Sequence, residues 1–271
     1  MSYNSYPVQD QPGEEPYQPG ADLAMAALEE VRATAAEPAI VTADIDVVWG
    51  LSAPGTFYDP ANKDKYTHPY TGTAGNPMTS FDRHIINHSV GVVYGVTALR
   101  LGKDVSEITK EDIAEHGPIF YYNGEDENTA NVNYHQNRDL QRAVDSGEFP
   151  LPASNVKIGT IPTIGTPGQF EGIAAYVTER NTQVAASQAP KIGKIAMVSG
   201  IAHTMRTHRY LKHNEGGFPD DVAFVSLPVP LDANGVPRAQ RMAILATEAR
   251  KTAIYANKGH MSKQPYDKFA A

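Results

Sequence analysis

Five short apolar runs recur along the chain, each rich in β-branched or aromatic residues and each bounded by turn residues. Runs of this length and composition predict β-strands. Their near-continuous apolar character is typical of strands covered on both faces, as in a parallel sheet. The five predicted strands are IDVVWG (45–50), IFYYNG (119–124), NVKIGTI (155–161), KIAMVSG (194–200) and VAFVSLPV (222–229).

Helical patterns alternate with these runs. One of them, TKEDIAEHG, opens with Thr109 as a candidate N-cap and closes on Gly117. Strands that alternate with helices predict an α/β fold: a doubly wound, mainly parallel sheet of about five strands with helices on both faces, which is Rossmann-like. The predicted helices cover residues 80–102, 109–117, 131–147, 168–181, a stretch that starts near His203, and 239–259.

The chain divides into three predicted parts. Residues 1–20 are rich in Pro, Gly, Gln and Glu and are expected to form a flexible tail. Residues 21–38 are expected to form a helix, and residues 39–271 a single Rossmann-like domain. In the helix, Met25, Leu28 and Val31 repeat at helical spacing, which favours packing on the domain. The alternative is that this apolar stripe faces a partner chain, which would make a homo-oligomer.

The irregular segment 51–79, rich in Gly, Pro, Tyr and Thr, directly follows the first predicted strand. A loop of this length inside a compact domain is usually functional or disordered. We therefore expect it to form a flap over a site.

Composition narrows the classes of function. A net charge of −8 and an isoelectric point near 5.6 argue against nucleic-acid binding, which needs clustered Lys and Arg. The absence of cysteine excludes disulfides and thiolate chemistry. The N-terminus lacks the features of a secretory signal, and no apolar run is long enough to span a membrane. The expected location is the cytoplasm.

Small and polar residues follow four of the predicted strands. Because the carboxyl ends of parallel strands meet at one edge of a sheet, we expect these residues to border a ligand site. Glycines there would permit close backbone approach, although they also serve simple turns. The candidate ligand-binding residues are Gly50, Leu51 and Ser52 after the first strand, Asn123, Gly124 and Glu125 after the second, Thr166 and Gly168 after the third, and Ser199 and Gly200 after the fourth.

The fourth junction, IAMVSGIAHTMRTHRYL, carries the most chemistry. His203, Arg206 and Tyr210 would share one stripe of a helix. A helix N-terminus beside a guanidinium suits a phosphate or carboxylate. We therefore expect Arg206 to anchor an anion and His203 to act as an acid or base, since an unperturbed histidine titrates near neutrality. The alternative is that both are structural. His208 and Arg209 are expected to be solvated.

The third junction, TIGTPGQFEGI, adds further candidates. Thr166 and Gln169 could order a ligand at a helix N-terminus. Glu171 could serve as a base, although glutamate in a first turn is usually favourable helix chemistry alone.

A metal site has weaker support. His84 and His88 are four residues apart, a spacing that can bind zinc, but without an HExxH pattern or an identifiable third ligand they are expected to be structural. The acidic EDEN (125–128) lacks the spacing of a calcium loop. GxSxG, Walker A and GxGxxG motifs are absent, which disfavours standard serine hydrolases and P-loop enzymes.

These motifs resemble the ElyC/SanA/YdcF family, a Rossmann-like domain of unknown function. The resemblance spans about residues 44–259 and rests on the VVWG strand, an early helical Arg83, the NG after the second strand, and VSGIAHTMR with His203 and Arg206. The family usually has two glycines after its second strand and Asn–Thr–x–Glu–Asn at its third junction, where this chain reads Gly–Thr–Pro–Gly–Gln. The resemblance implies a soluble, YdcF-like protein with a ligand pocket that includes Arg83.

Three functions follow as hypotheses. The first is a protein that binds a nucleotide-like or phosphate-bearing small molecule, with or without catalysis; a nucleotide or an S-adenosylmethionine-type cofactor is among the candidate ligands. The second is an interaction protein that uses its N-terminal helix. The third is a metal-dependent hydrolase built on His84, His88 or the EDEN carboxylates.

Overall fold

A computed structural model describes residues 21–36, 41–52, 81–124, 136–161, 165–187, 190–230 and 238–270. Its strands form one five-stranded sheet in the order β3-β2-β1-β4-β5, with every neighbouring pair parallel. This is a Rossmann-like α/β fold, as the alternation of apolar runs and helical patterns predicted.

All five predicted strands are present, and helices separate them. The strands are β1 Val47–Gly50, β2 Ile119–Tyr122, β3 Val156–Ile158, β4 Lys194–Gly200 and β5 Ala223–Val229. The helices are α1 Ala21–Ala36, α2 Phe81–Leu101, α3 Lys110–His116, α4 Gln136–Asp145, α5 Thr166–Ser187, α6 Ile201–His213 and α7 Arg238–Asn257.

Helix boundaries follow the local chemistry. Thr109 caps α3 by accepting a hydrogen bond from the backbone N–H of Asp112, and Gly117 is its C-cap, both as predicted. Two starts differ from the prediction. Helix α5 begins at Thr166 instead of residue 168, and α6 begins at Ile201, directly after β4, instead of near His203. None of the helices in the described ranges is long and apolar enough to cross a membrane.

Side chains alternate between two cores, one on each face of the sheet. Val48 and Val198 face one core, where they meet α2 residues such as Val93. Trp49 and Met197 face the other, which α5 and α6 cover. Because both faces of the central strands are buried, β1 and β4 read as almost unbroken apolar runs.

Helix α1 packs within its own chain, against α6 and α7. Ala27 and Val31 are buried there with Met205 and Ala249. The predicted stripe is therefore correct for Val31 but wrong for Met25, which is 55% exposed. The helix turns a slightly different side to the domain than the spacing of Met25, Leu28 and Val31 suggested.

Candidate functional site

The order of the strands marks the point on the carboxyl edge of the sheet where open α/β folds form a crevice. From β1 the chain proceeds to β2 and β3 on one side, then returns to β4 and β5 on the other. Strands β1 and β4 are neighbours, with Gly50 opposite Val198. Ligands of open α/β sheets bind at such a reversal point, beyond the carboxyl ends of the strands. The residues that follow β1 and β4 are therefore the first to consider.

The β1 end is tightly packed. A Cβ atom on Gly50 would lie 3.1 Å from Ser89 Oγ and 3.2 Å from the Phe120 ring, so internal packing accounts for this glycine. Leu51 is fully buried in the core between the sheet and α5 and α6. Close approach of a ligand is therefore not needed to explain either residue.

Amide groups join the ends of β1 and β2 to α5. Asn123 accepts a hydrogen bond from Trp49 Nε1 at 3.0 Å and donates one to the Gln169 carbonyl at 2.8 Å. Gln169 Nε2 in turn donates to the carbonyls of Ser52 and Asn123, both at 3.2 Å. These three candidates, Ser52, Asn123 and Gln169, thus come together, but they bind one another.

The β2 end continues this pattern. The Gly124 N–H donates to Asn137 Oδ1 at 2.8 Å, which fastens the start of α4 to the strand. Glu125 and the rest of EDEN, like most of the segment 51–79, lie outside the described residues. Arg83 belongs to the first turn of α2, and its side chain is also outside the described part.

His203 and Thr166 connect the first turns of α6 and α5. Thr166 Oγ1 lies 3.2 Å from His203 Nε2, and His203 is only 3% exposed. Burial, reinforced by the nearby Arg206 cation, lowers the pKa of His203 to about 3. The imidazole is therefore neutral at physiological pH, and the expectation of a group that titrates near neutrality is wrong. Within the described residues, its Nδ1 atom is buried without a hydrogen-bond partner.

Arg206 is already engaged by an internal carboxylate. Its Nε atom lies 2.7 Å from Glu248 Oε2, although the N–H is not aligned for a hydrogen bond. Glu248 is fully buried and also meets Lys251 Nζ at 3.1 Å. The expectation that Arg206 is the anion anchor without a carboxylate partner is therefore wrong. Two cations share one carboxylate, and together they carry one net positive charge.

The pKa values of this cluster follow from its composition. Burial by itself would raise the pKa of Glu248, but the charges of Arg206 and Lys251 outweigh it and hold that pKa below its usual value. Burial would likewise lower the pKa of Arg206, and the Glu248 carboxylate reverses this, so the net pKa is raised. Glu248 and Arg206 are therefore both ionised at neutral pH. Tyr210, on the predicted stripe with His203 and Arg206, is buried beside them.

The remaining candidates at the third and fourth junctions differ in burial and in backbone conformation. Ser199 is buried, with Oγ 3.3 Å from Thr204 Oγ1, which bonds in turn to the Gly200 carbonyl. Gly200 is the N-cap of α6 and has an ordinary φ of −61°, whereas Gly165 has a φ of +90° that favours glycine. Gly168 is buried in the first turn of α5, and Glu171 is exposed on the same helix.

His208 and Arg209 contradict the expectation that they are solvated. They are 4% and 1% exposed, and both contact Glu30 of α1. Sequence patterns could not anticipate this because the carboxylate lies 178 residues from His208.

Sequence patterns also did not identify Glu248 and Lys251 as neighbours of Arg206 and His203. The signal available was their spacing of three residues on the predicted last helix, which places them on the same helical face. That spacing alone does not reveal that α7 packs against α6.

His84 and His88 lie on α2. Across the ranges that the structure describes, no group of three or more His, Asp or Glu side chains is arranged to hold a metal ion. Partial desolvation lowers the pKa of His88, although the residue is exposed on α2.

An open cavity of about 310 Å³ lies elsewhere, near the amino ends of β2 and β3. Its lining includes Lys157, Tyr176 and Arg180, with the Lys157 ammonium 5.8 Å from the Tyr176 ring centre. None of the residues proposed as site members contributes to it.

The fold is a Rossmann-like α/β fold, and a polar cluster joins Arg206, Glu248 and Lys251 near His203. Comparisons with protein-family models, curated proteins and solved structures found no match.

Proposed function

We propose that this protein binds a small anionic ligand, nucleotide-like or phosphate-bearing, at the carboxyl ends of β1 and β4. The observation that carries the proposal is the cluster of Arg206, Lys251 and Glu248 beside His203, in which Glu248 is fully buried and the side chains of Arg206 and Lys251 are 13% and 17% exposed. Two cations against one carboxylate leave a positive charge in a setting where charge is costly unless it is paired. An anion in the crevice would supply the missing partner.

The surroundings of the cluster support an anion. Helix α6 starts immediately after β4, with Gly200 as its N-cap, so its first-turn amides and its positive dipole end lie at the crevice. His203, in that turn, keeps its Nδ1 atom without a partner among the described residues. A neutral imidazole supplies one donor and one acceptor, so His203 would orient the ligand by hydrogen bonding.

The resemblance of VSGIAHTMR to ElyC/SanA/YdcF proteins points to the same junction. Catalysis at this site is a separate, second part of the proposal, and ligand binding does not depend on it. With a pKa of about 3, His203 is a weak base, so its contribution would be to polarise or hold a bound group.

Thermal unfolding with added ligand tests the proposal. Inorganic phosphate, adenine nucleotides, sugar phosphates and S-adenosylmethionine are the probes. A ligand at 100 times its Kd stabilises the folded state by about 2.7 kcal/mol, which corresponds to a rise of a few degrees in Tm. We expect at least one anionic probe to produce such a rise.

Lys251→Met then tests the location, because it removes the surplus charge and keeps the Arg206–Glu248 pair. It should weaken binding of the active probe at least tenfold. The matched control is Lys191→Met, which removes an exposed lysine paired with Asp221. If no probe stabilises the wild type, or if both variants bind the probe equally well, the proposal is wrong.

A further inference from the structure

Glu30, His208 and Ser226 come from distant parts of the chain and are linked by two hydrogen-bond contacts. His208 lies on a different side of α6 from His203 and Arg206. Glu30 Oε1 lies 2.8 Å from His208 Nδ1, and His208 Nε2 lies 2.8 Å from Ser226 Oγ. Both distances fall within the range for a nucleophile, its base and the carboxylate that orients the base. The arrangement carboxylate–imidazole–hydroxyl is recognised by geometry and not by sequence order.

Each member is held by a different element. Glu30 is on α1, His208 on α6 and Ser226 on the edge strand β5. The side chains of His208 and Glu30 are 5% and 14% exposed, so their orientations are fixed by packing. Ser226 is partly exposed, in contrast to its buried neighbours on the strand, Val225 and Leu227. Ser226 therefore has a base in contact with its hydroxyl and keeps part of its surface exposed.

The hydrogen bonds specify where the protons are. An ionised Glu30 can only accept, so His208 Nδ1 donates to it. Arg209 Nη1 contacts the other oxygen of the same carboxylate and balances its charge. In the neutral ring, Nε2 is then the acceptor, and the Ser226 hydroxyl donates to it. This is the proton arrangement that a serine nucleophile needs before it attacks.

We propose that Ser226 is an activated nucleophile that takes an acyl group from small activated esters, with His208 as its base and Glu30 as the residue that positions His208. Ser226 Oγ forms a bond to the ester carbonyl carbon while its proton moves to His208 Nε2. The ester C–O bond then breaks, and the alcohol leaves with that proton. Water hydrolyses the acyl-serine by the reverse proton path, releasing the acid. This site is separate from the proposed anion site and does not rest on it.

Labelling of the full-length protein with a fluorophosphonate tests the proposal, because Ser226 Oγ would form a bond to phosphorus as fluoride leaves. Peptide mass spectrometry should locate the label at Ser226. Ser226→Ala should abolish labelling, and His208→Gln should slow it at least 100-fold. Glu30→Gln should lower the maximal labelling rate about tenfold or more while the probe concentration for half-maximal rate stays the same.

Folding is controlled independently. Ser226→Ala removes only a hydroxyl, so circular dichroism should show an intact fold. Ser106→Ala removes an exposed hydroxyl that bonds to Asp104, outside the proposed site, and it should label at Ser226 at close to the wild-type rate. The proposal is overturned if the folded wild type is not labelled at Ser226, or if His208→Gln labels as fast as the wild type. Either result would assign the three residues to holding α1 on the domain.

Discussion

Arg206 and Glu248 meet at 2.7 Å inside the protein, between α6 and α7. The guanidinium that the sequence offered as an anion anchor is thus also a structural partner of a fully buried carboxylate. Lys251, on the other side of that carboxylate, supplies the charge in excess. The two helices are held together by the same groups that the proposed anion site uses, so stability and ligand binding would be coupled there.

Glu248→Gln should destabilise the protein strongly. The substitution leaves Arg206 buried without its counter-charge, and breaking one side of a buried ion pair costs about 3–5 kcal/mol. Urea unfolding measures the loss.

The double variant Arg206→Met with Glu248→Gln removes both charges and should recover a substantial part of that stability. If Glu248→Gln alone were as stable as the wild type, the stabilising role of the ion pair with Arg206 would be contradicted.

His203 should make stability depend on pH. Because its folded pKa is depressed to about 3, the unfolded state binds a proton first as pH falls below 6.5. The stabilisation is complete above pH 6.5 and is lost progressively as pH falls towards 3, by on the order of 4 kcal/mol in total. Urea unfolding at pH 7.5, 6.5, 5.5 and 4.5 would show the slope.

His203→Gln supplies the comparison, since glutamine does not titrate. Its stability should fall less steeply between pH 6.5 and 4.5 than that of the wild type. Equal slopes would mean that His203 is not buried as a neutral imidazole.

Two glycines in helices should respond oppositely to alanine. A Cβ on Gly172 would lie 2.5 Å from the Thr160 carbonyl oxygen and 3.0 Å from Asn123 Nδ2, so Gly172→Ala should cost about 1–3 kcal/mol. Gly91 has nothing within 4 Å of that position, and Gly91→Ala should stabilise α2 by about 0.5–1 kcal/mol. Thermal unfolding measures the change in stability for both variants. If Gly172→Ala were as stable as the wild type or more stable, the packing of α5 would be contradicted.

Deleting residues 1–38 should lower the melting temperature by many degrees. The deletion exposes the apolar contacts of Met205 and Ala249 and leaves Arg209 without Glu30. Removing residues 1–20, before α1 begins, is the matched control and should have little effect. An unchanged melting temperature with a loss of oligomer mass in light scattering would instead support α1 as a contact between chains.

The sequence predicted the fold well because its signals are local. Runs such as 45–50 and 194–200 are apolar throughout since both faces of a central parallel strand are buried, and the caps of α3 were readable from Thr109 and Gly117. The same locality explains why His203 and Arg206 could be placed in one turn of a helix that follows a strand.

Only the tertiary structure decided which groups meet. The order of the strands, the return of α7 that brings Glu248 to Arg206, and the packing of α1 that brings Glu30 to His208 are contacts between residues far apart in the chain. Charge and burial depend on those contacts. Residue type alone therefore predicted that His203 titrates near neutrality, whereas burial places its pKa at about 3. Periodicity reports which face of an element is covered, but it carries no information about the element that covers it.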